Sequence, residues 1–169
     1  MEKIDYDKKK EALKRIRELI ISPSVLMMAT KLTKIPFSVC PMTLQEMDGQ
    51  GDLWFFSGKD TDHFRDIEED NRVQLIYTDK AHDTYLSIFG NAIHIVDHQK
   101  RDALWSERLN TWFKGKDDPN LALLNVNMEN AYYWENKSNS LVSFFDGELP
   151  IGGNIDHKGS KGNVNLQQH

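Results

Sequence analysis

The stretch from Cys40 to Asp79, "CPMTLQEMDGQGDLWFFSGKDTDHFRDIEEDNRVQLIYTD", holds the pattern from which the fold is read. An apolar run ends in "WFF" at 54–56 and a Ser57-Gly58 turn, and "TDHFRDIEEDN" then sets Phe64 and Ile67 three residues apart. That spacing predicts a short helix with both side chains facing inward. Upstream, Asp48-Gly49-Gln50-Gly51 is a turn signal between two apolar stretches. Downstream, Val73, Leu75 and Tyr77 alternate as a half-buried strand requires. Strand, tight turn and helix start make a common anion cradle, because open N–H groups and the positive end of the helix dipole point the same way. Asp60 and Asp62 stand where an incoming phosphate would prefer Lys or Arg. They serve the helix dipole at some cost to phosphate affinity.

Working outward, residues 7–21 place Leu13, Ile16, Leu19 and Ile20 at helical spacing among Lys, Arg and Glu, and Pro23 ends that amphipathic helix. The segment 25–57 reads as a strand meander. "TYLSIFGNAIHIVD", from Thr84 to Asp97, is a long strand whose Gly90 signals a bulge, a bend, or close approach of a ligand or second backbone. "HQKRDALWSERLNTWF" reads as a helix with Trp105, Leu109 and Trp112 on one stripe and Leu104 beside it, and "LALLNVNMENAYYWEN" supplies one or two closing strands. Strands with a few interspersed helices and no βαβ alternation predict an antiparallel sheet closed into a small barrel. The expected fold is mainly β or α+β, a barrel of about six strands with peripheral helices. One domain is expected over 1–146. The Gly-, Asn- and Lys-rich residues 147–169 form a C-terminal extension, a surface or partly mobile tail.

At 169 residues, 39% apolar and 28% charged, the chain has the size and composition of one domain with its own core. A net charge of −5 argues against a nucleic-acid or anionic-membrane partner. Nowhere does the chain approach the roughly 20 apolar residues of a membrane span, and its start lacks a signal-peptide core, so a cytoplasmic protein is expected. Motifs for zinc proteases, paired Cys-x-x-Cys sites, dinucleotide-binding loops and nucleophile elbows are all missing. His94 and His98 are weak evidence for a metal, and a surface or edge position explains them better. Cys40, the single cysteine, lies in the apolar run "FSVCPM" and reads as a small hydrophobe rather than a thiolate. No catalytic residue and no metal site is assigned.

Taken in order, "CPMTLQEMDGQGDLWFFSGKDTDHFRDIEEDNRVQLIYTD", "YLSIFGNAIHIVD" and "LWSERLNTWFKGKDDPNLALLNVNMENAYYWE" resemble the general stress protein 26 branch of the pyridoxamine 5'-phosphate oxidase-like, FMN-binding split-barrel family. The resemblance runs from about Ala12 to Trp134, and "GDLWFFS" and "WFKGKDDPNLALL" carry most of it. It implies a split-barrel homodimer with FMN in a cleft between the subunits, the flavin phosphate lying against the helix that begins after "WFFS". Cys40-Pro41-Met42 then stands at an Arg-Pro-Met position, and His63 at the helix Lys. Each lost charge-assisted bond is worth on the order of 1.5–3 kcal/mol. The affinity for FMN therefore falls by roughly two to four powers of ten, to a modest strength. The site implied by the resemblance comprises Cys40, Pro41, Met42, Phe56, Ser57, Thr61, His63, Ser87, Gly90 and Trp112. Several have plainer readings: Phe56 as a core aromatic, Ser57 as a turn serine, Thr61 as a helix cap, Met42 as filling, Gly90 as a bulge, Trp112 as packing. Two functions follow. One is a flavin-dependent oxidoreductase of stress type, without the pyridoxamine phosphate oxidase activity itself. The other is a non-enzymatic dimeric module with weakened or lost FMN affinity.

Overall fold

The computed structural model describes residues 2–135 and 160–165, with side chains from residue 9 to residue 135. Helix α1 (Glu2–Leu19) leads into β1 (Ser24–Thr30), β2 (Ser38–Met47) and β3 (Leu53–Gly58). Helix α2 (Asp62–Glu69) is followed by β4 (Arg72–Asp79), β5 (Thr84–Ile95), α3 (His98–Leu104), a 3-10 helix (Glu107–Thr111) and β6 (Leu121–Glu135). The strand order is β3-β2-β1-β4-β5-β6, and β3 pairs with β6 to close a six-stranded antiparallel barrel. Of the expected extension 147–169, residues Ser160–Asn165 form β7, which pairs antiparallel with Asn130–Glu135 of β6. The expectation for 147–159 and 166–169 lies outside the described residues.

The two-residue alternation of the strands sorts the side chains between barrel interior and outer wall. Leu26, Met28, Leu44, Phe55, Leu75 and Ile88 are fully buried inside. Outside, Trp54 and Phe56 of β3 and Leu121 and Leu123 of β6 build a second, smaller cluster with Leu109. Leu104, Trp105 and Phe113 pack against that cluster. The segment 98–113 is therefore not one continuous helix. The backbone is extended at Trp105 and Ser106, where α3 ends before the 3-10 helix. The break resets the helical phase, so Phe113 takes the inward place that the stripe assigned to Trp112. Trp112 itself is 68% exposed.

A helix covers each mouth of the barrel. At one end, Ile16 and Leu19 of α1 join the interior core, Arg15 pairs with Glu135 at the end of β6, and the Ile21 N–H donates to the Tyr77 hydroxyl at 3.3 Å. At the other, α2 lies over the ends of β1, β2, β3 and β5, with Asp66 and Ile67 buried beneath it. Gly90 is explained within the sheet. The β5–β6 register shifts between Phe89 and Gly90, and a Cβ there would stand 2.4 Å from the Asn127 carbonyl oxygen.

Candidate functional site

Helix α2 begins where β3 ends, and the turn between them is built from hydrogen bonds. Thr61 is the N-cap. Its hydroxyl accepts from the Phe64 N–H at 3.3 Å and donates its one proton to the Gly58 carbonyl at 2.6 Å. The turn is clasped to the loop before β6: the Lys59 N–H donates to the Asn120 carbonyl (2.8 Å), the Asp60 N–H to Asn120 Oδ1 (3.0 Å), and Asn120 Nδ2 to Asp60 Oδ1 (2.9 Å). A Cβ on Gly58 would come within 2.9 Å of Asp60 Oδ1 and 3.2 Å of Asn120 Nδ2, the two side-chain ends of the clasp, and would push on them. Among the described residues the N–H groups of Asp62 and His63 have no partner within the chain. They are the open donors that a helix N-terminus offers an anion.

Ser57, Thr61 and His63 converge here. The Ser57 side chain faces inward at the barrel mouth, 2% exposed, with Oγ 3.0 Å from His63 Nε2; Thr61 Oγ1 is 3.2 Å from the same nitrogen. Because Thr61 has already given its proton to Gly58, His63 Nε2 must be the donor. That fixes the tautomer: Nε2 carries hydrogen, Nδ1 makes no hydrogen bond among the described residues, and the Ser57 hydroxyl keeps a proton to give. Burial, followed by the neighbouring His94, holds the His63 imidazole below its ordinary value of 6.5, against the pull of Asp66 and Asp62. A neutral His63 is thus the resting form at neutral pH.

One turn along α2, Asp66 is 2% exposed and fully satisfied. Its carboxylate accepts from Thr30 Oγ1 at 2.8 Å and from Ser38, and meets Lys31 Nζ at 2.8 Å. Burial would raise its carboxyl, but these partners outweigh burial and hold it below 3.8. Cys40 faces this cluster from β2, half-buried, its thiol pushed up by burial and then by Asp66. The acidic residues near the turn are partnered as well: Asp62 with Arg65, and Asp60 with the Asn120 amide. Lys59 has no carboxylate partner among the described residues. The field at the turn is therefore less negative than Asp60 and Asp62 suggest in sequence.

The remaining sequence-derived residues lie apart from this centre. Met42 faces the interior core, and Gly90 is buried at the bulge. Phe56 lies outside the wall, edge-on to Trp105 with ring centroids 6.1 Å apart. Pro41 and Ser87 share the outer face of the sheet, in one row across β2, β1, β4 and β5 through Met27 and Ile76. Ser87 Oγ accepts from Gln74 Nε2 at 2.8 Å. His94, expected at a surface or edge position, sits at the same mouth: Nδ1 is 2.7 Å from Glu68 Oε1 and its ring lies 3.9 Å from that of Phe64. His98 starts α3 and is exposed. Asp66, Lys31, Asn120 and His94 carry no motif. Only the i, i+3 step from His63 to Asp66 on one helix face hinted at any of them. No group of three or more His, Cys, Asp or Glu side chains able to hold a metal occurs among the described residues, and no described helix is long and apolar enough to cross a membrane.

The pyridoxamine 5'-phosphate oxidase like family matches residues 11–149. This chain belongs to that family. General stress protein 26 of Bacillus subtilis (strain 168) is 32% identical over 76 residues, 43% of this chain and 54% of that protein, so the match spans about half the length of this curated relative. A general stress family protein of known structure from Xanthomonas campestris pv. campestris is 29% identical, with a TM-score of 0.63 over 85% of this chain and 97% of that one. The general stress FMN/FAD binding protein of Xanthomonas citri is 27% identical, with a TM-score of 0.61 over 87% and 99%. The split barrel expected from the sequence is therefore the fold of this pyridoxamine 5'-phosphate oxidase-like chain. The cradle at α2 lies inside the matched region.

Proposed function

We propose that this chain is a split-barrel flavin protein of stress type, holding FMN with modest affinity between two copies of itself, as an FMN-dependent oxidoreductase rather than a pyridoxamine phosphate oxidase. The observation that carries the reading is the cradle: two open N–H groups at the start of α2 beside the unspent proton of the buried Ser57 hydroxyl and the His63 imidazole. The two amides and the Ser57 hydroxyl match the acceptor oxygens of a phosphate monoester, and His63 joins them as a donor only when Nδ1 is protonated. The guanidinium at the turn, Arg65, is taken up by Asp62 and the Asp60 carbonyl, and Cys40 stands where the family has an Arg, which matches a modest affinity. Family membership and the FMN/FAD-binding relative in Xanthomonas citri support flavin as the ligand class. Bound FMN would supply electron transfer at its ring. The chain would contribute Ser57, the α2 amides and His63 to the phosphate, the clasp of Asn120 to hold the turn still, and Trp112 at the edge of the cleft.

Two copies are favoured by the outer sheet face. Val25 and Met27 of β1, Val39 and Pro41 of β2, and Ile76 of β4 are exposed together, and Met27 lies between Pro41 and Ile76 in register. Contiguous apolar surface of this kind marks an association site. A single domain over 1–146, working in the cytoplasm, completes the reading. One observation favours the non-enzymatic alternative, a module with weak or no FMN: His63 already occupies the hydroxyls of the cradle. The deciding experiment is a fluorescence titration of FMN and, in parallel, riboflavin into flavin-free protein. Saturable quenching that prefers FMN is expected, with His63→Lys tightening FMN alone. Equal or absent binding of the two would give the site to the alternative.

A further inference from the structure

The loop after β1 brings a cation to the mouth that α2 covers. Lys31 is a non-glycine residue with φ of 53°, and the Lys34 N–H closes a turn on its carbonyl at 2.9 Å. A side-chain-bearing residue adopts that left-handed conformation at a cost, and such strain persists where the surrounding structure holds it. The turn carries the Lys31 side chain from the end of β1 to α2, where Nζ meets Asp66 Oδ1 at 2.8 Å. The other donors to Asp66, the Thr30 and Ser38 hydroxyls, are uncharged, and β2 adds only the neutral Cys40 thiol. Asp66 follows Asp62 by four residues and His63 by three, so the three occupy neighbouring positions of one helix face, about 5–6 Å apart. Helix side chains also lean toward the N-terminus. The ammonium is thus held about one turn from the open N–H groups of Asp62 and His63. An ammonium carries three donors. Asp66 takes one, and the Lys31 side chain is 41% exposed, so the others are open to a ligand. Arg65, by contrast, is spent on Asp62 and the Asp60 carbonyl.

We propose that Lys31 is the specificity-determining residue of the cradle: its ammonium bridges Asp66 and an oxygen of the phosphate monoester, and so selects FMN over the unphosphorylated flavin. This rests on the phosphate reading of the cradle given above. The α2 amides and the Ser57 hydroxyl, 2% exposed and with a proton still to give, supply directional but uncharged donors. Lys31 supplies the full charge. A lysine suits a shared position, because its charge is compact and its donors rotate on a flexible stem. The hydrogen bond to Asp66, and then the charge of that carboxylate, hold the ammonium above its ordinary value of 10.5, so it remains charged wherever a phosphate monoester is a dianion. Without it, the incoming dianion would face the Asp66 carboxylate directly.

The test compares FMN and riboflavin binding, by fluorescence quenching, in the flavin-free full chain and in Lys31→Gln, Asp66→Asn and the double variant Lys31→Met/Asp66→Asn. The last two both lack the Asp66 charge and leave no buried carboxylate unpaired, so the difference between them isolates what Lys31 gives to the ligand. FMN is expected to bind about ten- to a hundredfold more weakly to the double variant than to Asp66→Asn, the worth of one charge-assisted hydrogen bond, with riboflavin unchanged. Equal FMN affinity in the two would overturn the proposal and leave Lys31 to the fold alone. A loss of FMN preference confined to Lys59→Met, a cation of the turn itself, would overturn it as well. Circular dichroism checks that each variant folds. Should either Asp66 variant fail to fold, Lys31→Gln, which keeps an amide donor for Asp66, decides in the same way: an unchanged ratio of FMN to riboflavin affinity overturns the proposal. Failure of the phosphate reading looks different, because the unmodified protein would then bind the two flavins equally or not at all.

Discussion

At the scale of single residues, Asp66 joins the site to the fold. A buried carboxylate is tolerated only when its charge is met, and Thr30, Ser38 and Lys31 meet it from the loop and strands facing α2. Truncating it strands the Thr30 hydroxyl, 1% exposed, without its acceptor. Asp66→Ala should therefore cost about 1.5–3 kcal/mol in urea unfolding at pH 7, the range for a hydrogen bond to a charged group. The pH dependence follows from linkage. The folded carboxyl lies below 3.8, so the stabilisation is present above that value and is lost as pH falls through the folded one. The gap between the two proteins should then narrow in acid, and a constant gap would show that packing rather than charge is responsible. Of this cluster the sequence displayed only Asp66 on the face of His63. Its partners come from residues 30, 31 and 38, which nothing local connects to residue 66.

At the scale of elements, α2 and the β5–β6 pair show how far local pattern reaches. Phe64 and Ile67 three apart announced the helix, Thr61 its cap, and both are in place. Gly90 left a bulge, a bend and a close approach open, and the structure shows a bulge with a backbone oxygen in the way. The Asn127 carbonyl belongs to the ladder and cannot swing aside as a side-chain end would. Gly90→Ala should lower stability by about 1–3 kcal/mol, as overpacking a tight site does, read as a lower denaturation midpoint. An unchanged midpoint would mean that the bulge slides without penalty. The segment 98–113 shows the limit of periodicity. Its apolar spacing fits one helix, but the chain gains more by breaking at Trp105–Ser106, which lets Trp105, Leu109 and Phe113 all reach the outer wall of β3 and β6.

At the scale of the whole molecule, barrel closure separates two apolar environments. The interior and the outer cluster are sealed by the chain itself, whereas the row through Pro41, Met27 and Ile76 is left open on the outer face. If a second copy covers that row, Met27→Glu together with Ile76→Lys should yield a monomer by light scattering, with the barrel's circular dichroism intact and FMN affinity reduced. Unchanged mass would place any interface elsewhere. The sequence by itself determined the strands, the helix after "WFFS" with its cap, and the mainly β class, because each depends on side-chain periodicity and turn chemistry within a few residues. Ordered segments also carried the resemblance that the family match bears out. Only the tertiary structure decided what the cradle contains. His63 takes both hydroxyls, Cys40 lies in the field of the Asp66 carboxylate, Asn120 clasps the turn from 60 residues away, and His94 arrives from another strand. These relations depend on which strand ends share a barrel mouth, and closure of the sheet sets that through contacts far apart in the chain.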